Sequence, residues 1–104
     1  MRALVASRFR WLKVGWLLVA LGLGACATNP PYQEMSDARQ AVAAAEEAGA
    51  RETSPYLFRL ANRHLSNART AMKERRFNAA RNEAVLAHRK ATEALDELQT
   101  SDRD

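Results

Sequence analysis

One thiol, two imidazoles and a group of arginines are the side chains of this chain whose chemistry invites a role. Cys26 is the single cysteine and ends the run Leu23-Gly24-Ala25-Cys26. Alone it can build neither an internal disulfide nor a thiolate metal cluster. His64 and His88 fall at a similar level of two predicted helices. Helical spacing puts them on opposite flanks of the interface with no carboxylate or cysteine converging on them, so we assign both to packing and expect no metal. Arg75, Arg76 and Arg81 gather at a predicted helix turn, where guanidinium groups suit phosphates, carboxylates or an acidic protein surface. They are the candidate anion or partner contact. The competing assignment is structural, because cations also suit the negative end of the preceding helix. The acids Glu93, Asp96, Glu97, Asp102 and Asp104 sit on a solvated helix end and tail. With no nucleophile-base arrangement and no glycine-rich phosphate loop, neither an enzyme nor a cofactor is expected.

The segment before Cys26 has the layout of a secretory leader. Arg2, Arg8, Arg10 and Lys13 precede an apolar run from Val14 to Leu23, shorter than the roughly 20 residues of a membrane-spanning helix. Phe9 separates Arg8 from Arg10, so the twin-arginine export signal is not met. The tetrad Leu23-Gly24-Ala25-Cys26 resembles the lipobox of bacterial lipoproteins. That resemblance implies cleavage between Ala25 and Cys26, a lipid such as palmitate on the Cys26 sulfur, and a mature chain beginning at Cys26. Ala27, where inner-membrane lipoproteins often carry Asp, implies the periplasmic face of the outer membrane. Two other readings stay open. Ala25-Cys26-Ala27 also fits an A-x-A cleavage site that would release a soluble periplasmic protein, and the leader would serve equally as an uncleaved anchor.

Removing the leader changes the electrostatics. The chain has 16 Lys+Arg against 12 Asp+Glu, but residues 1–25 hold four of the basic residues and no acid, leaving 12 against 12. Nucleic-acid binding inferred from overall charge therefore fails. The remaining charge is uneven. Residues 59–90 hold nine Lys/Arg against Glu74 and Glu83, whereas residues 91–104 are acidic.

Past the leader, residues 26–35 read as the lipidated cysteine and an extended linker, because Asn29-Pro30-Pro31 disfavours helix. Residues 36–100 read as one α-helical domain, and 101–104 as a disordered tail. The fold class is all-α: a small antiparallel helical hairpin plus one short N-terminal helix. That first helix is expected over Asp37–Ala48, with Ser36 as N-cap and Gly49 as stop; its inner positions are Ala38, Ala41, Val42, Ala45 and Ala48. Ser54-Pro55 opens the second helix, as N-cap and first-turn proline. Its inner face carries Leu57, Ala61, Leu65, Ala68 and Met72, edged by Leu60, His64 and Ala71, and its outer face carries Arg59, Arg63, Ser66, Thr70 and Lys73. Tyr56 and Phe58 are assigned to packing. The third helix runs from an Asn78 N-cap to about Gln99, its seam formed by Ala80, Ala84, Ala87, Ala91, Ala94, Leu95 and Leu98 at 4-3-4-3-4 spacing. The first helix is expected to pack across the hairpin against Leu86 and Ala79.

Ser36-Asp37-Ala38-Arg39, Ala48-Gly49-Ala50, Pro55, Leu60-Ala61, Leu65, Ala68, Ala71 and the restart Phe77-Asn78-Ala79-Ala80-Arg81 together resemble an uncharacterised domain-of-unknown-function family of alanine-rich bacterial envelope lipoproteins. The hairpin is also similar to a single tetratricopeptide-type unit, and the likeness covers Ser36 to Ala94. Some family members are joined to an OmpA-like peptidoglycan-binding domain, which implies an OmpA-like envelope partner for this chain. Self-association is the other partner expectation. Where the family tends to have Gly-Asp-aromatic at the turn, this chain has Arg75-Arg76-Phe77, losing the glycine that eases a positive φ. The expected function is a lipid-anchored, non-catalytic interaction module of the Gram-negative envelope, supporting cell-wall or outer-membrane organisation through contacts at Leu86 or the alanine seam. The alternative is capture of lipopolysaccharide or peptidoglycan by the basic tip.

Overall fold

A computed structural model describes residues 29–103. Four helices follow in order: α1, Tyr32–Glu47; α2, Ala50–Thr53; α3, Pro55–Lys73; and α4, Phe77–Arg103. No strand occurs among the described residues, and the class is all-α as expected. The three long helices are those predicted, and α2 is an additional single turn between the first two.

The start of α1 corrects the sequence reading, which kept residues 32–35 in an extended linker. Pro31 is fully buried, and its carbonyl accepts the first helical bond from the Met35 N–H at 3.0 Å. Ser36 does not cap; its hydroxyl accepts from Gln40 Nε2 at 3.1 Å inside the helix. A helix end docked through Pro31 and Met35 can form without a polar cap, because burial fixes its first turn. The inner face gains Met35, keeps Ala38, Val42 and Ala45, holds Ala41 half-buried and loses Ala48 to solvent. Gly49 stops the helix as expected, with φ of 87°.

α3 begins at Pro55 as predicted. Ser54, however, makes no side-chain cap. Its carbonyl accepts the Phe58 N–H at 3.0 Å, while its hydroxyl donates to Glu97 on α4 at 2.8 Å. The buried stripe is Phe58, Ala61, Leu65, Ala68 and Ala71; Leu57, Leu60 and Met72 lie half-buried along its edges. It is therefore rotated from the predicted face, and Phe58 replaces Leu57 as its first large residue.

At the hairpin turn the Arg75 N–H bonds to the Met72 carbonyl at 3.1 Å, and the Arg76 N–H to the Ala71 carbonyl at 2.9 Å. This is the paired bonding of a Schellman ending. Arg75 occupies the left-handed position with φ of 60°, so the turn keeps the geometry that a glycine would ease. α4 starts at Phe77, one residue before the predicted Asn78 cap, with the Arg76 carbonyl accepting from Ala80. It continues to Arg103, so residues 101–103 are helical rather than a disordered tail. The Thr100 and Ser101 hydroxyls bond back to the Asp96 and Glu97 carbonyls there.

The predicted seam is the centre of the bundle. Ala80, Ala84, Ala87, Ala91 and Ala94 are each 0% exposed, and Leu95 and Leu98 pack at its margin. Side chains this small let helix axes approach at the close end of the usual 8–10 Å range. Phe58, Leu65, Met35 and Val42 supply most of the apolar area around them. α1 leans mainly on α4 and less on α3; Leu86 and Ala79 are half-buried.

Long-range polar contacts show the direction of each helix. Arg81, early in α4, meets Glu34 at the start of α1, at 3.3 Å. Ser54, at the start of α3, meets Glu97, late in α4. α1 and α4 therefore run parallel, with α3 antiparallel to both. The chain enters this up-down-up bundle at the end holding the hairpin turn and leaves it at the other. Among the described residues no buried side-chain polar atom lacks a partner, and no helix is long and apolar enough to cross a membrane.

Candidate functional site

The hairpin turn positions Arg75, Arg76 and Arg81 at one end of the bundle without converging them. Arg75 is exposed, its guanidinium 6.0 Å from the Phe77 ring centroid. The Nε of Arg76 donates to Glu74 at 2.7 Å. Arg81 turns away from the tip toward α1. Its Nε donates to Glu34 at 3.3 Å, its Nη1 to Asn78 Oδ1 at 3.2 Å and its Nη2 to the Asn29 carbonyl at 3.3 Å. Arg81 thus ties the incoming chain to the start of α4. Ala25 and Cys26, the predicted cleavage and lipid-attachment residues, lie outside the described residues.

The histidines part company. His88 is exposed, whereas His64 is half-buried with Nδ1 2.7 Å from Glu83 Oε2. Glu83 also accepts a 3.5 Å bond from Asn67. A carboxylate does meet His64, contrary to the reading from helical spacing. The signal was hidden because Glu83 lies 19 residues away, on the other arm of the hairpin. The contact involves one imidazole and one carboxylate, and no group of three metal-ligating side chains occurs among the described residues.

At the far end, Thr53, Ser54, Leu57 and Leu98 line an open cleft of about 580 Å³ with Glu93, Asp96 and Glu97. Glu97 accepts from Ser54 and Glu93 from Lys90 at 3.2 Å. The first contact ties α3 to α4 and the second lies within α4.

A stronger feature is the outer face of α3. Arg59, Arg63, Arg69 and Lys73 are exposed, and Pro55–Lys73 contains no Asp or Glu. None of the four has a carboxylate within 4.0 Å among the described residues. At 100° per residue they share an arc of about 120° opposite the buried stripe. Tyr56 joins this face at 65% exposure, which corrects its assignment to packing. With Arg59, Leu60 and Arg63 it lines a groove of about 290 Å³. Phe58 does pack, and the Arg51 guanidinium lies 5.0 Å from its ring centroid. The absence of acids from residues 55–73 was visible in the sequence; what it lacked was the pairing of Arg76 and Arg81, which leaves α3 as the basic surface without carboxylate partners.

No curated protein and no solved structure shows a significant match to the chain. A family model described as "Domain of unknown function (DUF4398)" matches residues 33–103, the span from the first turn of α1 to the last residue of α4. The chain belongs to this DUF4398 family.

Proposed function

We propose that this protein is a lipid-anchored, non-catalytic helical module of the Gram-negative cell envelope, exported by residues 1–25 and held at the periplasmic face of the outer membrane through Cys26. The observation that carries the reading is the tetrad Leu23-Gly24-Ala25-Cys26 closing a basic, then apolar, leader. The short distance from Cys26 to α1 supports it, because only residues 27–31 separate the cysteine from the helix. In this reading the module supports cell-wall or outer-membrane organisation by contacting envelope proteins, an OmpA-like partner among them.

The form of that contact differs from the sequence expectation. The alanine seam is consumed inside the bundle, so partners meet the polar helix faces. Among the described residues the exposed large apolar side chains, Tyr32, Tyr56 and Val85, are too few for an apolar interface. Capture of an anion by the hairpin tip is the weaker reading, since Arg76 and Arg81 already contact Glu74 and Glu34.

Intact mass combined with membrane fractionation tests the anchor in a Gram-negative host. A lipid-sized increment on a chain beginning at Cys26, lost in Cys26→Ser, is expected. An unmodified chain beginning at Thr28 would replace the proposal with a soluble periplasmic protein.

A further inference from the structure

We propose that α3 lies side-on against a bilayer of anionic phospholipid, its outer face forming the membrane-contact surface of the anchored bundle. The inference rests on the lipid-anchor reading for its tether and on the charge layout of the bundle for its orientation.

Three observations converge. The first is where the chain arrives. Arg81 holds the Asn29 carbonyl beside the hairpin turn, the end at which α3 finishes. Asn29 is the third residue after Cys26, about 10 Å away at full extension, so a lipid on Cys26 keeps this end of the bundle within a side chain's reach of the headgroups. The second is charge. From Arg59 to Lys73 the α3 face presents four cations and no acid over about 21 Å. The third is what lies elsewhere. α1 carries Glu34, Asp37, Glu46 and Glu47 against Arg39, and the late part of α4 carries Glu93, Asp96, Glu97 and Asp102 against Lys90 and Arg103. An anionic surface attracts α3 and repels α1 and the late part of α4, which sets orientation as well as affinity. Tyr56, exposed on the same face at the end farthest from the tether, has an apolar ring and a polar tip suited to the headgroup region.

End-on docking through the tip is the geometric rival. It has fewer uncommitted charges, since Arg76 and Arg81 contact carboxylates.

Tryptophan quenching separates the two orientations. Trp11 and Trp16 lie in the leader, so the processed chain has no tryptophan, and single probes at Tyr56→Trp on α3 and Ala44→Trp on α1 report independently. The purified protein is mixed with vesicles carrying brominated acyl chains, made of phosphatidylglycerol with phosphatidylethanolamine or of phosphatidylcholine alone. We expect quenching at the Tyr56→Trp probe on phosphatidylglycerol, little at the Ala44→Trp probe, and loss of the signal at about 0.5 M salt. Arg59→Glu/Arg63→Glu should weaken binding to the phosphatidylglycerol vesicles by about thirtyfold or more, with helicity unchanged because both sites are exposed. Equal quenching on the two lipids, or at the two probes, overturns the proposal. Quenching that survives Arg59→Glu/Arg63→Glu but vanishes in Arg75→Glu overturns it in favour of the tip. Intact mass of the same preparation keeps the two ideas separable. An unmodified mass sinks the anchor, whereas the lipid comparison still reads the charge of α3 directly.

Discussion

Gly49 and Arg75 both adopt positive φ, at 87° and 60°, each just past the end of a helix. The backbone asks the same of both residues, yet only one lacks a Cβ. A left-handed conformation costs an ordinary residue roughly 1 kcal/mol relative to glycine. Arg75→Gly should therefore raise unfolding stability by about 1 kcal/mol, and Gly49→Ala should lower it by a similar amount. A Cβ at Gly49 would find its nearest neighbour at 4.0 Å, so that loss is conformational rather than steric. Urea midpoints with an unchanged slope check both substitutions; an unstabilised Arg75→Gly would mean that the guanidinium contributes more than its backbone costs. A second residue-scale test concerns the rotated stripe of α3. Phe58 is 4% exposed and Leu57 half-buried, so Phe58→Ala should cost about 3–5 kcal/mol and Leu57→Ala clearly less. The reverse order would restore the face drawn from sequence spacing alone.

Among the elements, α4 has the simplest code. Its seam alanines, Ala80, Ala84, Ala87, Ala91 and Ala94, recur at 4-3-4-3 spacing and each is fully buried, so one residue type both forms the helix and sets how closely its neighbours approach. Enlarging the seam should be costly. Ala87→Leu is expected to lose about 1–3 kcal/mol by overpacking, whereas Val85→Leu, exposed on the opposite side of the helix, should stay within about 0.5 kcal/mol. Thermal unfolding of the two variants side by side decides this. These elements also show how far the sequence was legible. Period and composition report what happens within one helix, and so they placed the α4 seam, the proline start of α3 and the glycine stop of α1. They carry no information on register between helices. Ser54 with Glu97, His64 with Glu83 and Arg81 with Glu34 are separated by 43, 19 and 47 residues. Those contacts decide which cations remain without carboxylates, and so the tip triad looked more available than it is. The start of α1 was obscured for a related reason: its first turn is held by burial of Pro31 and Met35 against the rest of the bundle, a cause absent from local cap preferences.

For the molecule as a whole, α1 is part of the core rather than an appendage. Met35, Ala38, Val42 and Ala45 share one cluster with Phe58, Leu65 and the α4 alanines. Unfolding should accordingly be a single cooperative transition. A tryptophan reporter at Tyr32 and one at Tyr56, each in a chain with Trp11 and Trp16 replaced by Phe, should give coincident denaturation curves; an earlier loss of the Tyr32 signal would show α1 detaching first. The coupling between Glu34 and Arg81 should be modest, because both side chains are more than a third exposed. A double-mutant cycle is expected to give about 0.2–1 kcal/mol, shrinking with salt.

Because α1 and α4 run parallel, Asn29 and Arg103 lie at opposite ends of a rod whose longest helix measures about 40 Å. A load applied between the two ends of the chain would pull along the helix axes, sliding α1 past α4 in shear rather than peeling them apart turn by turn. Interdigitated side chains along the whole alanine seam would then resist together, as a lap joint does. The two ends stand apart by the length of that joint, so the same parallel pairing that fills the core would also make the bundle stiff along its axis.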